Sequence, residues 1–389
     1  MLLTMHSLSQ GGGDRVGVLL ANGFASAGIP TRLALMREAG EGQAALRSLL
    51  HPDVTIAMGG PPMGLRLSKG GAPLGHQHLE RLRGLKLIRG EIDSFRPAVV
   101  LAASDNMGLV TALARRPGDK AAFAMKLTNA LLRPNIGPMR KFYRRNLFGF
   151  IFRRLDMVIT LADAERRRLL ELYPGRDQLF RTLANPYVTD EMLAQPPKPR
   201  RVGPPRLVTA GRMVPQKRFD ILLRAFALLS HRDARLTCLG DGPLRPSLEA
   251  LAQSLGITDR LDMPGYTADV LSRLRESDLF VLSSAYEGLP AVLIEALACN
   301  VPVVTTDSFL AARDLLGGSE SCAVVPPGDP AALAEAIDRR LSLSAEHDDL
   351  RQMALPYRID TSVAAHIAAL SELVERRSDR SDRASKTVR

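Results

Sequence analysis

Glu287 and Glu295 stand eight positions apart in the stretch Ser-Ser-Ala-Tyr-Glu-Gly-Leu-Pro-Ala-Val-Leu-Ile-Glu-Ala-Leu-Ala-Cys-Asn, residues 283–300. Before them, Asp278 to Leu282 is an apolar run that reads as a buried parallel strand. After Gly288 and Leu289, Pro290 suits the first position of a helix. Pro302 to Thr305 reads as a second buried strand. One carboxylate therefore lies at the carboxyl end of a strand and the other on the helix that follows. In an open α/β sheet that crevice is where ligands bind. The free N–H groups of a helix start favour an anion there, and carboxylates beside an anion can accept hydrogen bonds from hydroxyls. Together these features point to a sugar nucleotide, with the diphosphate on the helix start and sugar and ribose hydroxyls on the glutamates.

Three further turns fall at strand ends in the same half of the chain. Ala210-Gly211-Arg212-Met213-Val214-Pro215-Gln216-Lys217-Arg218-Phe219-Asp220 follows a strand and opens a helix. A glycine turn lets backbone approach a ligand, and Arg212 and Lys217 offer donors and charge to a diphosphate. The same residues also fit a plain turn with a solvated Gln-Lys-Arg face. Leu239-Gly240-Asp241-Gly242-Pro243-Leu244 permits a tight turn, with Asp241 placed to cap the next helix. Met263-Pro264-Gly265-Tyr266 could hold a base on its backbone, but alone it says only turn. If the sheet is parallel, all of these line one edge, and it is their convergence that points to one site.

In the first half, the loop Gln10-Gly11-Gly12-Gly13-Asp14 follows the first strand, and its triple glycine, feeding a helix, resembles a phosphate-cradling turn. The spacings of a dinucleotide fingerprint and of a P-loop are absent. The run 133–154 carries seven basic residues (Arg133, Arg140, Lys141, Arg144, Arg145, Arg153, Arg154), no acidic ones, and Phe142, Tyr143, Leu147, Phe148, Phe150, Ile151 and Phe152. Such a helix suits an anionic membrane surface. The alternative is a core helix whose arginine stems snorkel. RNA binding would use similar residues, but no RNA-binding motif accompanies them, so nucleic acid is not expected. The seven histidines show no zinc-ligand spacing with cysteine or carboxylate, and His76 and His78 sit in a glycine-rich stretch read as an exposed loop. There is no Gly-x-Ser-x-Gly elbow.

The elements that must position these groups alternate strand and helix throughout. Strands are expected at Leu2–Leu8, Thr31–Met36, Val54–Met58, Ala98–Ala103, Ala121–Leu127 and Met157–Leu161. Helices are expected at about Arg15–Ala27, Gln77–Phe95, Met107–Arg116 and Ala162–Leu172. Residues 195–205, proline-rich and basic, read as a linker. A second series follows at Arg206–Gly211, Ala234–Gly240, Leu261–Gly265, Asp278–Ser283, Val301–Thr306 and Ser321–Val325, with Asp329-Pro330 opening a helix over Ala331–Leu343. This alternation predicts doubly wound parallel sheets. The expected organisation is a first domain over 1–195, a linker over 196–205 and a second domain over 206–355. A helix over 356–377 follows. The charged, serine-bearing end, Glu375 to Arg389, reads as disordered, at least over 378–389.

The length of 389 residues agrees with two domains. A net charge of +11 favours anionic partners, although arginine-rich composition alone can produce it. Cys238, Cys299 and Cys322 are read as buried thiols in a reducing compartment. The first residues lack a basic n-region and a long apolar h-region, so no signal peptide is expected. No run of eighteen apolar residues suggests a spanning helix.

Residues 206–306 resemble the C-terminal domain of the retaining glycosyltransferases of family 4, which have the GT-B fold. Glu287 and Glu295 match the family's Glu-x7-Glu motif. Gly211, Arg212, Lys217 and Arg218 match Gly-Arg-x4-Lys-Gly/Arg, and Gly240, Gly242 and Pro243 match Gly-x-Gly-Pro. Gly12-Gly13-Asp14-Arg15 is similar to the N-terminal Gly-Gly-Ala-Glu-Arg. The resemblance implies an α/β GT-B fold, two Rossmann-like domains facing a central cleft, with the last helix, Ala364–Arg377, crossing back to the first domain. It implies that Arg212 and Lys217 neutralise the donor diphosphate, that Glu287 contacts the donor sugar, and that Glu295 contacts the ribose. Gly211, Gly240, Gly242, Gly265, Tyr266, Gly288, Leu289 and Pro290 would complete the donor site. Gly12, Gly13 and Asn129 would lie on the acceptor side. Metals and cofactors are not expected. Where many members carry a histidine in the first domain, Met125-Lys126-Leu127-Thr128-Asn129 has none.

The expectation is a transferase moving a sugar, with UDP the favoured carrier, to a glycan or lipid-linked acceptor in lipopolysaccharide or exopolysaccharide synthesis. It would work in the cytoplasm, peripheral to the inner membrane face through 133–154. A soluble transferase making a small glycoside, a sugar-nucleotide epimerase and a non-catalytic nucleotide-binding scaffold are the alternatives.

Overall fold

A computed structural model describes residues 1–8, 12–37, 46–59, 74–129, 131, 137–194, 203–267, 269–343 and 348–387, with backbone alone at 74–79 and 380–387. The chain divides into two compact units, one of residues 1–186 with 359–389 and one of residues 187–358. The junction therefore lies eight residues before the proline-rich stretch. Residues 195–202 of that stretch fall outside the described residues. The junction is made by a pairing distant in sequence: Tyr187 and Val188 both donate their N–H groups to Tyr357 O at 2.9 Å.

In the first unit, β1 (Leu2–Met5), β2 (Thr31–Leu35), β3 (Val54–Met58), β4 (Val99–Ala102), β5 (Ala122–Lys126), β6 (Met157–Thr160) and β7 (Phe180–Thr182) form one sheet in the order β3-β2-β1-β4-β5-β6-β7. Every pairing in it is parallel. β1, β4, β5 and β6 are buried along their whole length, because helices cover both faces. Those helices are α1 (Gly12–Ser26), α2 (Leu74–Phe95), α3 (Asp105–Ala114), α4 (Pro138–Phe152) and α5 (Asp163–Leu172). The chain reverses its winding between β1 and β4.

Two expectations are corrected here. The glycines of 10–14 do not form a loop throughout, because α1 begins at Gly12 and absorbs Gly12, Gly13 and Asp14 into its first turn. A helix start tolerates glycine better than a helix interior, since its first N–H groups have no intrahelical partner in any case. Gln10 and Gly11 lie outside the described residues. His76 and His78 belong to α2 and not to a loop.

In the second unit, α6 (Asp190–Leu193) precedes β8 (Arg206–Ala210), α7 (Phe219–Leu228), β9 (Arg235–Leu239), α8 (Arg245–Ser254), β10 (Leu261–Gly265), α9 (Val270–Glu276) and β11 (Leu279–Leu282). Then come α10 (Ala291–Ala298), β12 (Val303–Thr306), α11 (Ala312–Leu316), β13 (Ala323–Val325), α12 (Pro330–Ser342) and α13 (Arg351–Ala354). The strand order is β10-β9-β8-β11-β12-β13, again all parallel. α7 shows how the sequence forms these layers. Phe219, Ile221, Leu222, Leu223, Ala225 and Phe226 are buried, and Asp220 and Arg224 face outward. Truncating Phe226 to alanine would cost about 3–5 kcal/mol, because the cavity left behind adds to the lost transfer energy. α12 begins as its sequence indicates: Asp329 accepts from the N–H groups of Ala331 and Ala332 at 2.9 and 3.0 Å, with Pro330 in the first turn.

The last helix, α14 (Ile359–Thr387), packs on the first unit. Ser362 Oγ donates to Ala184 O at 2.6 Å, Arg181 pairs with Glu372 at 2.9 Å, and Arg377 pairs with Asp156 at 2.8 Å. The expected disorder from Glu375 or 378 onward is overturned, since the helix continues to Thr387. The segment holds no proline or glycine to stop it. The Arg377 ion pair also fixes the turn from which it extends.

Candidate functional site

The carboxyl edge of the second sheet brings the predicted residues together. β8 and β11 are neighbours and mark the place where this sheet reverses its winding, so the loops after them flank a crevice. Gly211 and Arg212 follow β8, and a short 3-10 turn, Pro215–Lys217, presents Lys217. Glu287 follows β11.

Lys217 Nζ lies 2.6 Å from Glu287 Oε1. Ser284 Oγ donates to the same oxygen at 2.7 Å, and Gln216 Nε2 reaches Glu287 Oε2 at 3.3 Å. Glu287 is 8% exposed, so its charge is held by these three donors more than by water. The loops that carry the pair are tied to each other. Ala285 N donates to Gln216 O at 2.8 Å, Gln216 Nε2 to Tyr286 O at 2.9 Å, and Ser283 Oγ to Arg218 O at 2.9 Å. Glu287 N donates to Ser308 O at 2.7 Å, and Thr306 Oγ1 to Ser284 O at 2.6 Å. The carboxylate is thus positioned by the ends of three strands, β8, β11 and β12.

Arg212 is exposed and, among the described residues, has no ion-pair partner. Arg218 differs: its guanidinium is committed to Asp220 at 2.9 and 3.0 Å, and its φ of 49° turns the chain into α7. Gln216, Ser284 and Ser308 escaped the sequence reading. Ser308 Oγ is buried and lacks a hydrogen-bond partner. The cue available for the first two was a polar cluster abutting strand ends on both sides of the matched motifs.

The glycines act through backbone packing. A Cβ on Gly240, whose φ is +120°, would stand 2.1 Å from Gly211 O, and one on Gly242 would stand 2.5 Å from Met213 O. Gly211 N donates to Leu239 O at 3.0 Å and Gly240 N to Gly265 O at 2.8 Å, which stitches the ends of β8, β9 and β10 together. Asp241 is not the cap of α8. Its Oδ1 accepts the N–H of Gly242 at 2.7 Å, and α8 starts without a side-chain cap. Tyr266 is 63% exposed at the end of β10.

Pro290 precedes α10 by one residue and occupies its N-cap, with Ala291 the first helical residue. Glu295 is buried on the second turn of α10. Gly288 is half-buried, and Leu289 and Pro290 are buried. Leu289 O accepts from Tyr187 Oη at 3.3 Å.

In the first unit the corresponding edge holds Gly12, Gly13, Asp105, Thr128 and Asn129. A Cβ on Gly12 would meet nothing within 4 Å, whereas one on Gly13 would lie 3.6 Å from Thr128 Cγ2. Thr128 Oγ1 donates to Asp105, and Asn129 Nδ2 reaches Thr128 Oγ1 at 3.5 Å. Behind this edge lies a buried titratable set. Lys126 Nζ is 3.1 Å from His366 Nε2 and donates to Leu183 O at 3.3 Å. Burial pushes Lys126 down to about 7 and Glu165 up to about 7. Burial, with the nearby Lys126 charge, pushes His366 down to about 3.

Among the described residues no three His, Cys, Asp or Glu side chains converge as metal ligands. No described helix is long and apolar enough to cross a membrane. α4 exposes Met139, Phe142, Tyr143, Leu147 and Phe150 and buries Phe148, Ile151 and Phe152. One face of this helix is therefore core, and the other exposes aromatic and basic side chains. Residues 132–136 lie outside the described residues. Cys238 and Cys299 are buried free thiols; Cys322 is half-buried, one residue before β13. A cavity of about 320 Å³ lined by Arg206, Arg235 and Asp262 sits at the amino ends of β8 to β10, opposite the edge that carries Glu287.

The profile of the glycosyl transferases group 1 family matches residues 193–355. The lipopolysaccharide core biosynthesis glycosyltransferase LpsE of Rhizobium meliloti is 30% identical over 190 residues, 48% of this chain and 54% of that protein. The chain spans about half the length, or less, of the curated relatives it matches. Among solved structures, the lipopolysaccharide outer core galactosyltransferase WaaB superposes with a TM-score of 0.71 at 16% identity, covering 96% of this chain and 99% of that one. Anabaena HepE in complex with UDP-glucose superposes with a TM-score of 0.67 at 17% identity, covering 97% and 99%. At such identities the likeness is one of fold. The similarity to the glycosyl transferases group 1 family is confined to residues 193–355, and the fold of the chain is that of the superposed structures, GT-B.

Proposed function

We propose that this protein is a retaining glycosyltransferase that takes a sugar from a nucleotide diphosphate sugar, UDP being the favoured carrier. The acceptor is a glycan or lipid-linked saccharide of lipopolysaccharide or exopolysaccharide synthesis. The observation that carries the reading is the Lys217–Glu287 pair beside the unpaired Arg212, at the winding reversal of the second sheet. The family profile supports it, as do the names of the relatives.

An ammonium has three N–H donors. Lys217 spends one on Glu287 and keeps the others for a diphosphate oxygen, and Arg212 adds a planar fork. Charge builds on the leaving diphosphate as the glycosidic bond breaks, so these cations act where the transition state needs them. Glu287, fixed by Lys217, Ser284 and Gln216, accepts hydrogen bonds from donor-sugar hydroxyls, and Glu295 serves the ribose. The acceptor hydroxyl attacks on the face that the diphosphate leaves, and a diphosphate oxygen takes its proton. No metal is required, because two side-chain cations and the start of α10 supply the positive field.

The exposed aromatic and basic face of α4 docks the enzyme on an anionic membrane, peripheral to the inner face. Transfer assays with Glu287→Ala test the reading. The variant folds and loses transfer; retained turnover would remove Glu287 from the mechanism.

A further inference from the structure

A large cavity in the first unit lies away from the edge that carries Gly13 and Asp105. It has a volume of about 1250 Å³ and opens at the amino ends of β5, β6 and β7, against the last turns of α14 that have described side chains. Six cations line it: Arg115, Lys120, Arg153, Arg176, Arg376 and Arg377. Three acids face them, and two of these are already engaged. Asp119 is held by Arg89, outside the cavity, at 2.8 Å and by Arg116 N at 2.7 Å. Asp156 is held by Arg377 at 2.8 Å, by Arg115 at 3.1 Å and by Phe123 N at 2.8 Å. Asp177 remains on the exposed rim.

The charge left over is therefore positive. Among the described residues, Lys120, Arg153 and Arg176 have no carboxylate partner. Arg376 gives Nη1 to Gln178 Oε1 at 3.3 Å and lies 3.7 Å from Glu372 Oε1. Its Nε and Nη2 atoms are buried and have no hydrogen-bond acceptor. Lys120 and Arg153 are exposed and Arg176 is half-buried, so these three cations can meet an anion in the cavity.

We propose that this cavity is a second anion site, separate from the sugar-nucleotide edge, for a phosphorylated ligand larger than inorganic phosphate. Its volume exceeds what one phosphate needs, and its cations are spread over three loops and a helix. Such a ligand bridges α14 to the loops before β5, β6 and β7, and so secures the helix on which the chain returns to this unit. A soluble phosphate ester and a phospholipid headgroup share this chemistry.

The test is titration calorimetry with tripolyphosphate at near-physiological salt, which screens general attraction to a basic chain. It is run in an Arg212→Ala/Lys217→Ala background to remove the donor edge. The result expected is one saturable site, weakened at least tenfold by Lys120→Ala/Arg153→Ala and unchanged by Arg140→Ala/Lys141→Ala on α4. Lys120 and Arg153 are exposed, so their removal leaves the fold intact; Arg376→Ala is the second, independent variant and weakens binding likewise. No saturable binding, or equal weakening by both double variants, overturns the site. Adding phosphatidylglycerol vesicles then assigns the source within a site so established. Displacement of tripolyphosphate supports a lipid headgroup, and undisturbed binding supports a soluble phosphate ester.

Discussion

Lys217 Nζ and Glu287 Oε1 meet at 2.6 Å, although 70 residues separate them in sequence. Both side chains are largely buried, 19% and 9% exposed. Removing one partner strands the other, so Lys217→Ala should cost on the order of 3 kcal/mol. Glu287→Gln keeps an acceptor for Lys217 and Ser284 and should cost less than half as much. Urea midpoints of the two variants check this. Equal stabilities would mean that the pair is looser than its geometry.

The buried set behind the first sheet predicts a pH signature. His366 Nδ1 is 2.7 Å from Ser362 O, so it carries the proton and leaves Nε2 to accept from Lys126. Lys126 is held down to about 7 from an ordinary value of 10.5, so the unfolded chain binds more protons than the folded one between those pH values. Stability must then rise with pH from about 7 to 10.5. Glu165 is held up at about 7, so its contribution is present at low pH and is lost as pH rises from 4.5 to about 7. His366, held down at about 3, opposes this by adding stability as pH rises from about 3 to 6.5. In Lys126→Met the rise above pH 7 should vanish. Chemical denaturation between pH 5 and 10 reads it directly, and an unchanged profile would mean that Lys126 is charged when buried.

Two glycines should separate folding from function. Gly240→Ala would place a methyl 2.1 Å from Gly211 O at a φ of +120°, so it should destabilise the second unit by at least about 3 kcal/mol. Gly12→Ala meets nothing within 4 Å and sits in the first turn of α1. It should leave thermal stability unchanged and lower transfer, if the acceptor binds at this edge. Paired melting and transfer assays decide both cases.

Much of this architecture was legible in the sequence, because buried parallel strands advertise themselves as apolar runs. Val54–Met58 and Leu261–Gly265 match their expected bounds, and most other strands differ by one or two residues. Leu2–Leu8 was read three residues too long. Features made by distant contacts were not legible. β7, only Phe180–Thr182, owes its strand state to pairing with β6. The junction at Pro186 depends on Tyr187 meeting Tyr357, which no local pattern announces. Composition misled twice: glycines hid the start of α1, and charge hid the continuation of α14. At the candidate site the motifs marked Arg212, Lys217, Glu287 and Glu295. That Lys217 rests on Glu287, and that Gln216 and Ser284 brace the same carboxylate, depends on how the sheet brings β8 and β11 together.

α4 should act at a membrane through its outer face. Phe142 and Tyr143 are 65% and 66% exposed, so replacing both with serine should leave stability within about 0.5 kcal/mol. The same change should lower sedimentation with phosphatidylglycerol vesicles severalfold. Phe148→Ser, at a site 5% exposed, should instead unfold the helix packing at a cost of about 3 kcal/mol. Vesicle binding that ignores Phe142 and Tyr143 would remove α4 as the contact.

The most direct test of the sugar-nucleotide account is thermal unfolding of the wild type and Arg212→Ala with UDP, GDP and ADP. A nucleotide at a hundred times its dissociation constant adds about 2.7 kcal/mol of stability. The account predicts that UDP raises the melting temperature of the wild type by several degrees and leaves Arg212→Ala nearly unmoved. A wild type that responds to none of the three nucleotides, or a variant that responds as the wild type does, would contradict it.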